Sequence, residues 1–175
     1  IALDVRLKLG PDRDAQEIRS FLKPGRNDVV KVLTAGQIKE RLDKDAQNNF
    51  EDIAKRKNTV KLTSAQVEQF NRLAKRFDSY RDSVYGELSS YMASLRGRYL
   101  TLESKRHWHD SFVAIARQYV IAGPTVRMLL GEEQFAAFPT SMTAFFDMDM
   151  ETFERIMKTA DFGTLLELIT GEGPD

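Results

Sequence analysis

From Leu62 to Leu95 the chain reads LTSAQVEQFNRLAKRFDSYRDSVYGELSSYMASL, and apolar or small side chains recur at Val67, Phe70, Ala74, Phe77, Val84, Leu88, Tyr91 and Leu95, with Leu73 and Tyr80 beside them. Steps of three and four, with one of seven across Arg81, predict an amphipathic helix on a near-heptad period. At about 1.5 Å per residue such a helix runs roughly 50 Å, far beyond the average for globular proteins, so it is expected to be the spine against which the others pack. Its start is marked as well. Thr63 and Gln66 form a capping-box pattern, in which the hydroxyl accepts a free helix N–H and the glutamine reaches back, while Leu62 and Val67 occupy the staple positions.

The remaining chain reads as shorter helices around this one, preceded by a strand. Residues 1–9 alternate strictly, with Ile1, Leu3, Val5, Leu7 and Leu9 on one face, and Gly10-Pro11 ends the run. Asp12 to Leu22 predicts a short helix stopped at Pro24-Gly25, and Arg26 to Val32 a linker. Leu33, Thr34 and Gln37 repeat the capping box and open a helix to about Lys57, whose middle, Asp43 to Asn49, is polar all round and either frays or stands in solvent. Gly97 is expected to end the spine, Thr101 to start a helix to about Ile121, and Gly123-Pro124 to break it before a short turn at Thr125 to Leu130. Leu130 and Gln134 repeat the leucine-to-glutamine spacing around Gly131, and Glu151 to Ile169 predicts one or two short helices before a loose tail.

The fold class is therefore mainly α: a long antiparallel helical hairpin or small bundle with one N-terminal β-strand. It divides into the strand at 1–10, a short helix and linker at 11–32, the bundle at 33–139, and an acidic, Met- and Phe-rich end at 140–175. With no cysteine, the chain has no disulfide, thiolate zinc site or cysteine nucleophile. The 26 basic and 26 acidic residues cancel, which argues against a nucleic-acid partner. The balance is uneven, however: residues 1–129 hold 24 Lys/Arg against 16 Asp/Glu, and residues 130–175 hold 2 against 10. The acidic end is expected to fold back on the basic body or to meet a basic partner. Because the chain opens on Ile1, it is expected to be a processed form or a fragment.

The recurring Leu-Thr-x-x-Gln at helix starts, at Leu33 to Gln37 and Leu62 to Gln66, in a helical and cysteine-free chain, resembles the LTxxQ proteins of the bacterial periplasm, the Spy, CpxP and ZraP group. That resemblance implies an envelope location and chaperone-like client binding or metal-linked stress sensing. A wider pattern, Leu3 to Gly10, Leu62 to Gln66, Asp82-Ser83-Val84 and Leu88 to Tyr91, resembles the C-terminal helical extension of some TonB-dependent outer-membrane receptor-like proteins. It implies that residues 1–9 close a barrel and that the helices hang in the periplasm, joined to a larger parent chain or a protein partner.

Three sets of side chains are candidates for chemistry. Glu103, His107 and Asp110, spaced four and three apart, share one helix face and could hold zinc or copper, the alternative being a solvated face with a His–Glu pair. His109 should point away from them, near Lys105 and Arg106, and Trp108 should anchor the core. Met142, Phe145, Phe146, Met148 and Met150, with Met157 and Phe153, offer an adaptable apolar surface for a partner, or fill the end of the core. Lys55, Arg56, Lys57 and Lys61 suit a solvated helix end or an anionic headgroup. No nucleophile–base pair and no glycine-rich phosphate loop stands out, so neither enzymatic activity nor a cofactor is expected.

Overall fold

A computed structural model describes residues 32–44, 46–96 and 101–159, and in them six helices follow one another. They are α1 (Ala35–Lys44), α2 (Asn49–Lys55), α3 (Ser64–Ser94), α4 (Leu102–Ala136), α5 (Thr140–Thr143) and α6 (Met150–Thr159). The described part is mainly α. The strand at 1–9, the helix at 12–22, Gly97 and the segment after Thr159 lie outside the described residues.

The spine α3 starts where its box places it. Gln66 N–H donates to Thr63 Oγ1 at 3.2 Å, and Thr63 N–H to Gln66 Oε1 at 2.8 Å. Its buried face differs from the near-heptad expectation, because Phe70, Ala74, Phe77, Tyr85, Leu88, Ser89 and Met92 point inward while Val84 and Tyr91 are only half-buried. From Phe70 to Met92 the inward positions advance by 11 residues per three turns, with Arg81 as the midpoint. A stripe of that period stays on one side of a nearly straight helix. Arg81 is tolerated there because its guanidinium donates to Gln47 O at 2.8 Å, pairs with Asp78 at 2.8 Å and lies over the Phe77 ring.

The polar stretch before the spine breaks the expected single helix into two. Asn48 replaces the helical turn, accepting through Oδ1 from the N–H groups of Phe50 and Glu51 and donating through Nδ2 to Ala74 O at 3.1 Å and Asp78 Oδ1 at 2.8 Å. It both caps α2 and fastens it to the spine. Lys39 of α1 bonds Asp43 and Asp82, which sets α1 beside the middle of α3.

Helix α4 runs antiparallel to α3. Tyr91 meets His107, Tyr85 meets Phe112, Phe77 meets Tyr119, and Gln66 meets Leu129, so the two sequences pass each other in opposite directions. The expected break at Gly123-Pro124 does not occur. Pro124 sits exposed inside α4, where, having no N–H, it donates no bond to the carbonyl four residues back. The distortion comes instead at Gly131, whose φ of 67° and ψ of 169° is open essentially to glycine alone.

Gly123 has a packing role. A Cβ there would lie 2.2 Å from the Phe146 carbonyl oxygen and 3.1 Å from its carbon, so the chain at 146 rests on bare helix backbone. This contact delivers Phe145 and Phe146 to an aromatic junction: Phe77–Tyr119 at 4.5 Å, Phe50–Tyr119 at 5.3 Å, Phe50–Phe146 at 5.3 Å and Tyr119–Phe146 at 5.4 Å between ring centroids. Four segments meet there in one core that runs from Leu33 to Met157. Trp108, fully buried, stacks on Phe112 toward the other end, as an anchor should.

Two glycine substitutions should therefore move stability in opposite directions. Gly123→Ala must displace main chain, with an expected loss of about 1–3 kcal/mol. Gly86→Ala, mid-helix with nothing within 4 Å of the added methyl, should gain about 0.5–1 kcal/mol. Urea unfolding followed by Trp108 fluorescence checks both.

Candidate functional site

The residues of the second and third Leu-to-Gln spacings converge at the end of the hairpin where α3 begins. Gln66 uses its oxygen for the capping box and its amide to donate to Leu129 O at 2.6 Å and Gln134 Oε1 at 2.7 Å. Gln134, the glutamine of the third Leu-to-Gln spacing, donates to Val60 O and Lys61 O, both at 3.2 Å. Its role is thus a tertiary one. The two glutamines clasp the turn before α3 to the kink of α4, and Lys61 is held at a φ of 53°. The box at Thr34 and Gln37 is also formed, at 3.2 and 3.0 Å, with Leu33 buried behind it; Leu62 is packed against the same core.

A second polar cluster stitches the break between α1 and α2. The Tyr119 hydroxyl accepts from Asn49 N–H at 3.3 Å and donates to Gln47 O at 3.5 Å, and Asn49 Nδ2 donates to Met142 O at 3.1 Å. Burial pushes the Tyr119 phenol far above its usual value, against the smaller opposing effects of the Asn49 N–H and Arg81. It therefore stays a neutral donor.

The three candidate metal ligands do not assemble. Glu103, His107 and Asp110 are all exposed on α4, but the His107 ring stacks on Tyr91 at 3.6 Å between centroids, and Asp110 Oδ1 lies 3.2 Å from Nδ1 of His109. Among the described residues no three His, Asp or Glu side chains are placed to hold a metal ion. Glu103 is felt by Tyr91, whose phenol is raised first by burial and then by that carboxylate. His109 is buried, with Nε2 at 3.0 Å from Met157 O in the last turn of α6.

The proposed partner surface is mostly interior. Phe145 and Phe146 are buried in the aromatic junction, with Phe145 also against Phe153 at 6.2 Å, while Met142, Met148 and Met150 are half-buried against the same core. Of the basic cluster, Lys55 pairs with Glu51 at 3.0 Å and Asp52 at 3.7 Å, and Arg56, Lys57 and Lys61 are exposed. The acidic end does fold back on the body in part. Arg127 bonds Glu132 at 3.1 Å and also Asp147 while covering Phe135, and Arg117 lies 3.7 Å from Glu154 and over Phe153.

Compared with known proteins, the chain matches no family model, and no curated protein or solved structure is similar to it. No helix among the described residues is long and apolar enough to cross a membrane.

Replacing Gln134 by Ala strips partners from Val60 O, Lys61 O and the Gln66 amide together. The expected cost is about 1–3 kcal/mol, with faster hydrogen exchange confined to 60–66 and 129–135. At acid pH the start of α6 should lose stability. Asp149 is held below the usual carboxylate range by the N–H and hydroxyl of Thr152. A depressed folded value means that its contribution is complete above the unfolded value near 3.8 and is lost as pH falls through the folded one. Asp149→Ala should flatten the acid limb of a stability–pH curve.

Proposed function

We propose that this chain is a non-enzymatic helical module of the bacterial cell envelope, held in the periplasm by an outer-membrane protein of the TonB-dependent receptor-like type, where it serves structural or protein–protein interaction. The observation that carries this reading is the use of the Leu-Thr-x-x-Gln segments. Both predicted boxes are formed, and the second is tied through Gln66 and Gln134 into the tertiary structure. The motif is thus a framework element of a body whose described residues close a core among themselves. A body of that kind suits a module that presents surfaces.

A client-binding reading of the Spy and CpxP type draws on the same boxes. It is the weaker one, since Phe145 and Phe146, the aromatic members of the surface it would use, are buried. Metal sensing through Glu103, His107 and Asp110 is weaker still, because His107 and Asp110 are engaged elsewhere.

An antibody raised against the helical body, applied to fractionated native cells, tests the proposal. A band in the outer-membrane fraction, much larger than 20.0 kDa, is the expected result. A free periplasmic species of 20.0 kDa would overturn the receptor reading and bring the client-binding one forward.

A further inference from the structure

The imidazole of His109 is buried where the last turn of α6 meets α4, and both of its ring nitrogens face oxygen. Nε2 lies 3.0 Å from Met157 O, and Nδ1 lies 3.2 Å from Asp110 Oδ1. A carbonyl and an ionised carboxylate only accept, so each contact asks for an N–H on the ring. A neutral imidazole has one N–H and would turn a lone pair toward the other oxygen. The doubly protonated ring satisfies both, and its charge suits the place. The helical partner of Met157 O would be residue 161, beyond the end of α6 at Thr159, so this carbonyl lies at the negative pole of that helix.

On α4, Lys105 is half-buried one turn before His109 and Arg106 is exposed; on α6, Glu154, Arg155 and Lys158 are exposed, with Glu154 at 3.7 Å from Arg117. The part of α3 opposite, between Tyr85 and Tyr91, has Glu87 as its only charge, and that side chain is exposed. Lys105, Arg106, Arg155 and Lys158 oppose a charge on His109, but from the solvent side, where water and salt screen them; Asp110 and Met157 O act at contact distance. We infer that His109 is a proton-operated latch: with both nitrogens protonated it fastens the last turn of α6 to α4, and loss of one proton releases one of its two bonds. Because the latched form holds the extra proton, docking of α6 strengthens as pH falls through the range in which imidazoles titrate, about 5–8, and weakens as pH rises through it. That window is separate from the one in which Asp149 acts, which begins near 3.8 and extends below. What the latch governs is apolar surface, since α6 buries Phe153 and Met157 against the core and its loosening uncovers them. The inference is independent of the envelope reading.

Urea unfolding of the full chain from about pH 5.5 to about pH 8.5, followed by far-ultraviolet circular dichroism, tests the latch. The folding equilibrium constant should fall about fivefold as pH rises across this range. The fall should persist in His107→Gln, whose parent ring is exposed on the same helix, and disappear in His109→Gln, whose amide can still donate to Met157 O but takes up no proton. Asp110→Asn, which removes the carboxylate at Nδ1, should reduce it. Hydrogen exchange of the native chain, corrected for the intrinsic effect of pH, reads the same latch without a substitution: amides 153–159 should open about fivefold more often at the alkaline end of the range than at the acid end. A stability that does not change across the range, a change that survives in His109→Gln, or equal opening of α6 at both ends would overturn the inference.

Discussion

The main chain at Phe146 lies on Gly123 with no space for a methyl group between them, and much of the fold depends on that approach. It brings the segment after α4 back across the helix closely enough for Phe145 and Phe146 to reach Tyr119. Tyr119 in turn carries Phe77 of the spine and Phe50 of α2. Aromatic rings supply large buried areas and prefer offset or edge-on contacts, so a junction of several rings is sensitive to small displacements of the backbones that carry them. Through this junction the short helices α2 and α6, each too brief to persist alone, become parts of the hairpin.

Polar side chains then fix the ends and breaks that apolar packing leaves loose. Asn48 and Tyr119 satisfy backbone groups where α1 gives way to α2, and Gln66 with Gln134 does the same where α3 begins and α4 kinks. Buried or half-buried carbonyls without such partners would cost more than the bonds themselves contribute, so these side chains select one arrangement of the helices. Arg117 and Arg127 join the acidic end to the basic body at the same time as they cover Phe153 and Phe135. Only part of the charge asymmetry is resolved in this way.

What could be read in the sequence was local. The boxes at Thr34 and Thr63, the N-cap at Thr101 and the core role of Trp108 follow from short spacings, and all are present. The misreadings share a cause in long-range contact. Gly123-Pro124 carries the pattern of a break, yet its glycine is needed by a segment more than twenty residues away and its proline faces solvent. The spine's stripe drifts from Val84 and Tyr91 to Tyr85 and Met92 around Arg81, which pairs with Asp78 one turn back and also finds Gln47, a partner that no window on the helix contains. His107 is exposed, as spacing suggested, whereas His109 is buried because its ring meets the Met157 carbonyl at the end of α6. Gln134 left a trace, as the third Leu-to-Gln spacing, but nothing local says that it bonds a turn about seventy residues earlier.

For function, these features describe a framework that holds a fixed shape and offers its outer faces. The central claim is that the hairpin, α2 and the chain from 143 to 157 form one cooperative unit joined at Gly123 and Tyr119. Native-state hydrogen exchange, measured by mass spectrometry under increasing denaturant, tests it most directly. The account predicts that amides of α2, of α3 around Phe77, of α4 around Tyr119 and of α6 open together with one free energy and one denaturant dependence. Exchange of α6 at a distinctly lower free energy, with the hairpin still protected, would contradict it.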